Sequence, residues 1–143
     1  EVWRQAREEA LSREFKGDYH IFASDIDPKA VAMARENAKR AGVADIIQFS
    51  VADATQFDLT TDRGVIVTNP PYGERIGTAE EVERLYRDIG VHFRSLSPWQ
   101  VYVITSHDGF ERLYGRSADK VRKLYNGMIP CYLYQFFKNN KTQ

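Results

Sequence analysis

The 143-residue chain has little cysteine and histidine: one cysteine, Cys131, and three widely separated histidines, His20, His92 and His107. A single cysteine excludes an internal disulfide framework and is typical of a reducing compartment, so we expect a cytoplasmic protein. The histidine spacing matches no metal-ligand motif, and we predict no metal site. No apolar run approaches the roughly 20 residues that cross a bilayer, so we predict no association with membranes.

Sequence motifs of several other enzyme classes are also missing. Neither a G-x-S-x-G nucleophile elbow nor a G-x-x-x-x-G-K-S/T phosphate loop occurs. Ser106, His107 and Asp108 are adjacent in the sequence, whereas the groups of a catalytic triad converge in space from separate segments. Cys131 lies in the apolar run CYLYQFF, so we predict a packed core residue rather than a nucleophile.

The formal net charge is zero, but the charges are unevenly distributed. Residues 1–62 carry 12 acidic and 8 basic side chains, and residues 63–143 carry 8 acidic and 12 basic ones. Between residues 112 and 141, seven basic side chains accompany a single acidic one, Asp119. A basic carboxyl-terminal region is compatible with polyanion binding, and equally with an ordinary solvated surface.

The chain starts at Glu1 rather than methionine, and its first 16 residues read as a helix already under way. We therefore expect a carboxyl-terminal piece of a longer protein. The length predicts one domain over 1–143, which we interpret as a partial catalytic domain with a leading helix at 1–16. Residues 138–143 are polar and predict a loose tail.

Short apolar runs alternate with helical patterns along the chain. Strands are predicted at 19–24, 46–51, 65–69 and 101–106, and KVRKLYN and CYLYQFF predict an antiparallel pair near the end. One helix is predicted between the cap Asp27-Pro28 and Gly42. A second, over roughly 79–95, would bury Val82, Leu85, Ile89 and Phe93. This order predicts an α/β fold with a mostly parallel sheet and a closing antiparallel hairpin.

Polar side chains follow three of the predicted strands, where ligands bind in such sheets. Asp25 is placed to accept both hydroxyls of a ribose, and Asp53 to accept the amino group of an adenine. A helix-capping turn is the alternative for Asp25, although Asp27 already accounts for that cap. An ordinary loop aspartate is an equal alternative for Asp53.

The strongest signal is Asn69-Pro70-Pro71-Tyr72, which directly follows a predicted buried strand. Two prolines restrict the backbone, so the Asn69 amide and the Pro70 carbonyl would project from a rigid rim, with the Tyr72 ring beside them. A planar exocyclic amine is a poor nucleophile because its lone pair is delocalised. Two acceptors on its N–H groups and an aromatic plate under the base would orient that lone pair toward an electrophile. The alternative is a structural Pro-Pro turn.

SDIDPKAVAMARENAKRAG, the later Asp53, VTNPPYGERIG and the final KVRKLYNGMIPCYLYQFF together resemble class I methyltransferases that use S-adenosylmethionine (SAM). The resemblance is most specific for the THUMP-associated RNA guanine-N2 methyltransferases, which are often labelled N6-adenine DNA methylases and include enzymes of bacterial 23S ribosomal RNA. It covers nearly the whole chain. It implies a Rossmann-like class I methyltransferase fold.

The resemblance also implies residue roles. Asp25 would bind the cofactor ribose, Ile26 would pack beside the adenine, and Asp53, with Ala52 and Ala54, would hold the adenine edge. The catalytic motif would consist of Asn69, which also borders the cofactor, with Pro70, Pro71 and Tyr72. The loop over the target base, where Tyr72 also contacts substrate, would continue through Gly73, Glu74 and Arg75.

One departure from the family is the absent glycine-rich loop, which should follow a strand upstream of Asp25. Only Gly17 occurs among the first 24 residues. The first strand, that loop and an upstream THUMP-like RNA-binding domain are therefore missing from the chain. We expect the isolated chain to bind SAM weakly or not at all and to be inactive alone.

The resulting hypothesis is methyl transfer from SAM to the exocyclic amine of a nucleic-acid base, with guanine N2 in 23S ribosomal RNA favoured by resemblance and no metal required. Adenine N6 in DNA and a protein glutamine amide remain alternatives, because both present a planar amide-like nitrogen. A noncatalytic RNA-binding module with a decayed cofactor site is an alternative of another class.

Overall fold

The computed structural model describes residues 1–15, 17, 20–59, 61–72, 78–96 and 98–137. Contacts between residues group the chain into two compact units, Glu1–Ala52 and Asp53–Gln143. Each has its own sheet, one two-stranded and one four-stranded. None of the helices in the described ranges has both the length and the apolar character of a bilayer-crossing segment.

The first unit contains helix α1 (Val2–Ser12), strand β1 (Ile21–Asp25), helix α2 (Pro28–Ala41) and strand β2 (Ile47–Val51), with a short 3₁₀ turn before β2. β1 and β2 pair in parallel, with Ile21 opposite Ile47. α2 begins and ends as predicted, because the Asp27 carboxylate accepts a hydrogen bond from the Lys29 N–H (2.8 Å) and Gly42 adopts a left-handed conformation (φ 73°).

The second unit contains strand β3 (Val65–Thr68), helix α3 (Ala79–Ser95), strand β4 (Gln100–Thr105), helix α4 (Phe110–Tyr114) and the hairpin strands β5 (Lys120–Asn126) and β6 (Ile129–Phe136). The strand order is β3-β4-β6-β5; β3 and β4 are parallel, and β6 is antiparallel to both of its neighbours. Gly127 turns the hairpin with φ 62°, and none of the non-glycine residues that the structure describes has positive φ, the pattern of a type II′ turn. The predicted antiparallel hairpin is confirmed.

The core of the second unit lies between α3, α4 and one face of this sheet. It is strongly aromatic: the Tyr114 and Phe136 rings stack with centroids 4.3 Å apart, and the Phe110 and Tyr134 centroids are 4.9 Å apart. Its buried members are Val82, Tyr86, Ile89, Phe93, Val101, Val103, Phe110, Leu113, Tyr114, Tyr134 and Phe136. This apolar layer supplies the rigid support for the ends of β3 and β4.

Close packing between α3 and α4 depends on Gly90. A Cβ atom added there would lie 2.4 Å from the Tyr114 carbonyl oxygen, so only glycine allows this approach of helix to backbone. α4 was not predicted from the sequence, because five residues are too few to show a helical period. Its Phe110, Leu113 and Tyr114 are nevertheless buried.

The predicted leading helix over 1–16 is too long. α1 ends at Ser12, whose hydroxyl donates to the Glu9 carbonyl (2.8 Å), while the Arg13 N–H turns back to the Ala10 carbonyl (3.2 Å). A serine hydroxyl that competes for helical carbonyls favours the end of a helix. No residue of α1 is buried, so no packing contact stabilises a further turn of this helix. The predicted tail, 138–143, lies outside the described residues.

Candidate active site

The Asn69-Pro70-Pro71-Tyr72 turn, here called the NPPY turn, begins directly after the last residue of β3. Asn69 is exposed, Pro70 is buried, and Pro71 and Tyr72 are half-buried. The Asn69 amide has no hydrogen-bond partner among the described residues, so it is available to a ligand. The turn therefore combines a largely buried proline backbone with an exposed polar side chain.

A chain of hydrogen bonds through Tyr86, Thr105 and His107 supports the NPPY turn. The Tyr86 hydroxyl donates to the Pro71 carbonyl oxygen at 2.8 Å and lies 2.8 Å from the Thr105 hydroxyl oxygen. Because a phenol has one proton, Thr105 must donate to Tyr86. The His107 backbone N–H in turn donates to the Thr105 oxygen at 3.1 Å. The end of β4 thus fixes the turn that follows β3.

Tyr86 is fully buried in the middle of α3, and its burial raises the pKa of its hydroxyl above the ordinary value, an effect partly offset by the Thr105 hydrogen bond. The hydroxyl therefore stays protonated and remains a donor over the whole physiological range. The sequence pattern had selected Leu85 for the buried face. Leu85 is only partly buried, and Tyr86 occupies the core position four residues after Val82.

The Tyr72 hydroxyl contacts the carboxyl-terminal hairpin. It accepts a hydrogen bond from the Asn126 side-chain amide at 3.2 Å and lies 3.7 Å from the Cys131 sulfur. Cys131 is fully buried, which confirms its predicted place in the core. One end of the Tyr72 side chain is therefore anchored, and this restricts the orientation of its ring.

In the first unit, Asp25 is the last residue of β1 and is exposed. One of its carboxylate oxygens accepts the Asp27 N–H at 2.8 Å, and its own carbonyl accepts the Ala52 N–H at 3.1 Å. Asp25 thus contributes to the turn before α2, a role that the sequence had assigned to Asp27 alone. Its second carboxylate oxygen has no partner among the described residues and can accept hydroxyl groups.

In the second unit, the Asp53 carboxylate organises its own loop. One oxygen accepts the Thr55 N–H (2.8 Å) and hydroxyl (2.7 Å), and the other accepts the Gln56 side-chain amide (3.1 Å). The Thr55 backbone hydrogen bond is the main cause that lowers the Asp53 pKa, so the group is a carboxylate at neutral pH. The oxygen shared with Gln56 keeps acceptor capacity for one more donor.

The Asp53 loop is attached to α3 through Phe57. The Phe57 ring meets His92 edge-on with centroids 4.9 Å apart and lies 6.0 Å from Phe93. This anchor was missed at the sequence level, although an isolated phenylalanine in a polar loop is a signal for such a contact. Ala54, in the same loop, is exposed.

Three of the predicted substrate-loop residues, Gly73, Glu74 and Arg75, lie outside the described residues. A cavity of about 410 Å³ is found elsewhere, at the amino ends of β3 and β4. It is lined by Leu59, Thr61, Asp62, Leu96, Pro98 and Trp99. Since the NPPY turn lies at the carboxyl end of β3, this cavity does not belong to the candidate site.

Comparison with protein-family models identifies residues 1–135 as an RMKL-like methyltransferase domain. The chain belongs to this methyltransferase family. The match spans the Asp25 turn, the Asp53 loop, the NPPY turn and nearly all of the hairpin. It confirms the resemblance that the sequence motifs predicted.

Individual relatives agree with this assignment. The chain is 44% identical to YpsC of Bacillus subtilis, a provisionally assigned RNA methyltransferase, over the whole chain and 37% of that protein. It is 37% identical to the ribosomal RNA large subunit methyltransferase K/L of Shewanella baltica, over 91% of the chain and 19% of that protein. The chain thus spans well under half the length of the curated relatives it matches.

A solved structure confirms the fold class. SMU.472, a provisionally assigned methyltransferase crystallised with SAH, superposes with a TM-score of 0.87 and is 34% identical. The match covers 99% of the chain and 37% of that protein. The predicted methyltransferase fold, with its parallel strands and its antiparallel hairpin, is therefore correct.

Proposed function

We propose that the chain forms the catalytic part of a SAM-dependent methyltransferase that modifies the exocyclic amine of an RNA base, with guanine N2 in 23S ribosomal RNA as the acceptor. The NPPY turn carries this proposal, because it presents an exposed amide on a support fixed from β4 through Tyr86. The named relatives support an RNA substrate. Such a substrate would place the protein in the cytoplasm.

The chemistry follows from the acceptor. The Asn69 amide oxygen and the Pro70 carbonyl would each accept an N–H of the planar amine, which orients the nitrogen lone pair away from the ring. The Tyr72 ring would hold the base by stacking. No residue of the NPPY turn is a strong base, so its contribution is positioning and the exclusion of water.

The residues that would hold SAM fit its chemistry. Asp25 retains one acceptor oxygen for the ribose hydroxyls, and Asp53 is an ionised acceptor with capacity for the adenine amine. Ile26 exposes 68% of its surface and is available for apolar contact with the adenine. When bound, SAM supplies an electrophilic methyl group on a sulfonium.

The test of the catalytic assignment is Asn69→Ala in the full-length protein. We expect methyl transfer to 23S ribosomal RNA transcribed in vitro to be abolished while SAM affinity stays nearly unchanged, because the amide contacts the acceptor amine. Even a tenfold loss in kcat corresponds to about 1.4 kcal/mol of transition-state stabilisation. Asn37→Ala, at an exposed position of α2, is the matched control. Turnover of Asn69→Ala within twofold of wild type at saturating SAM would contradict the assignment.

Digestion of the methylated RNA to nucleosides, followed by mass spectrometry, tests the acceptor atom. We expect N2-methylguanosine. N6-methyladenosine would place the enzyme among adenine methyltransferases. The absence of any methylated nucleoside with wild-type protein and a range of RNAs would favour a noncatalytic RNA-binding module.

A third test concerns the segment that the family would supply upstream. We expect the isolated chain to bind SAM much more weakly than the full-length protein, because no glycine-rich turn precedes Asp25 to accommodate the methionine end. Isothermal titration calorimetry on both proteins measures the difference. Comparable micromolar affinity would show that such a turn is dispensable. We also propose that a THUMP-like RNA-binding domain lies upstream of this chain in the full-length protein.

A further inference from the structure

The β5–β6 hairpin extends beyond the strand ends that carry the NPPY turn. β6 pairs with β4 only as far as Tyr132, which lies opposite Thr105, the last residue of β4. Ile129–Cys131 continue past this point, by roughly 10 Å at 3.3–3.4 Å per residue. Because β3 and β4 are parallel, the overhang lies at the same end of the sheet as the NPPY turn, where both strands have their carboxyl ends.

The overhanging tip exposes large apolar side chains. Tyr125 exposes 66% of its surface and Met128 exposes 96%. Leu124 and Ile129, next to them, are 40% and 44% exposed. An exposed apolar group of this kind at the end of a hairpin indicates a surface that another molecule covers.

Basic side chains flank this tip along β5. Lys120, Arg122 and Lys123 are all exposed, and none of them forms an ion pair within the described part of the chain. The Lys123 ammonium lies 5.5 Å from the centroid of the Tyr125 ring. Cationic groups and an aromatic face thus occupy one short strand.

Protection of an open sheet edge explains only part of this composition. β5 is an edge strand, and lysine and arginine on an edge prevent pairing with other strands. The same requirement disfavours exposed tyrosine, methionine and isoleucine. Single-stranded nucleic acid, in contrast, needs both features, because bases stack on aromatic rings while cations follow the phosphates.

We propose that the hairpin, residues 120–129, is an RNA-docking surface that holds the single-stranded segment beside the target base. Tyr125 provides the stacking face, and Arg122 and Lys123 contact phosphates. Asn126, next to Tyr125 at the tip, donates to the Tyr72 hydroxyl from the opposite face of the hairpin, so RNA that stacks on Tyr125 reaches the catalytic motif by passing over the tip. This inference rests on the proposed function, since it assumes an RNA substrate.

The test measures binding of a fluorescein-labelled single-stranded RNA of about 12 nucleotides to the full-length protein at several salt concentrations. Tyr125→Ala should raise Kd by about five- to 150-fold, and Tyr125→Phe should retain the wild-type affinity. Arg122→Gln and Lys123→Gln should each reduce the slope of log K against log salt by about 0.7. Arg87→Gln, at an exposed position of α3 paired with Glu83, should change neither quantity.

The outcomes separate this inference from the function on which it rests. If wild-type protein methylates RNA while the hairpin variants keep its Kd, its salt slope and its RNA KM, the docking surface is wrong and the function stands. A lower kcat with unchanged RNA affinity also overturns it, because the hairpin would then only support Tyr72. If the wild type neither binds nor methylates RNA, the proposed function itself fails. Thermal melts confirm folding, and we expect them unchanged because the substituted side chains are exposed.

Discussion

The Tyr86 hydroxyl links the core to the candidate site, and its removal is therefore a sharp test of the proposed geometry. Tyr86→Phe deletes one oxygen and keeps the ring that packs 5.2 Å from Phe110. Two hydrogen bonds of 2.8 Å disappear, one to the Pro71 carbonyl and one to the Thr105 hydroxyl. The ring contacts of α3 should be unaffected.

The magnitude follows from the burial of the two groups that lose a partner. Pro71 is half-buried, and its carbonyl can turn toward water. The loss of its hydrogen bond should therefore cost about 1 kcal/mol or less, in the lower part of the range of about 0.5–1.5 kcal/mol for a hydrogen bond. Thr105 is fully buried, and its hydroxyl still accepts from the His107 N–H but has no acceptor for its own proton, which costs about 1–3 kcal/mol. Together we expect a destabilisation of about 2–3 kcal/mol, measured by urea unfolding.

The activity of the same variant separates positioning from stability. With the Pro71 peptide released, we expect kcat for RNA methylation to fall by about tenfold or more, with the KM for SAM unchanged. Tyr114→Phe is the matched control, because Tyr114 is equally buried in this core but its hydroxyl has no hydrogen bond among the described residues. It should leave kcat unchanged. Equal kcat values for wild type and both variants would refute the idea that Tyr86 fixes the NPPY turn.

Three further predictions address the packing, the stacking and the pH response. Gly90→Ala should destabilise the protein by about 1–3 kcal/mol in denaturant unfolding, because the new Cβ would collide with the Tyr114 carbonyl; unchanged stability would mean that α3 and α4 move apart freely. Tyr72→Ala should lower kcat far more than Tyr72→Phe, which loses the exposed Asn126 hydrogen bond and the weak Cys131 thiol contact, together about 1 kcal/mol or less. Equal losses would assign the hydroxyl a role in substrate binding. Burial raises the pKa of Tyr114 to about 12. The stability that its protonated hydroxyl contributes is therefore complete below pH 10, the ordinary pKa of tyrosine, and falls by about 3 kcal/mol as the pH rises toward 12. Tyr114→Phe should flatten that part of the alkaline unfolding curve, and an unchanged curve would contradict the burial of the hydroxyl.

Local features of the fold were predictable from the sequence because their causes are local. The cap at Asp27 and the left-handed Gly42 bound α2 where expected, and the apolar runs marked β2, β3 and β4 to within a residue or two. The position of the NPPY turn after β3 followed in the same way. The prolines restrict their own backbone, so no distant contact was needed to predict that turn.

The supports of the site were not predictable, because they join residues far apart in the sequence. The Tyr86 hydroxyl meets Pro71 and Thr105, which are 15 and 19 residues away, and Tyr72 meets Asn126 at a separation of 54 residues. Helical periodicity could not separate Leu85 from Tyr86, since adjacent positions differ by only about 100° around a helix. Only the packing of α3 on the sheet decides between them.

The pairing of β5 with β6 limits how this region can change in evolution. Side chains alternate between the two faces of a hairpin, so inserting one residue within β5, before Asn126, would reverse the face that Asn126 presents. Inserting two residues, one on each strand, would lengthen the tip and keep every pairing below it, from Leu124–Cys131 to Lys120–Gln135. Family members that accept different RNAs should therefore differ in hairpin length by even numbers of residues. The aromatic core beneath would need no compensating change.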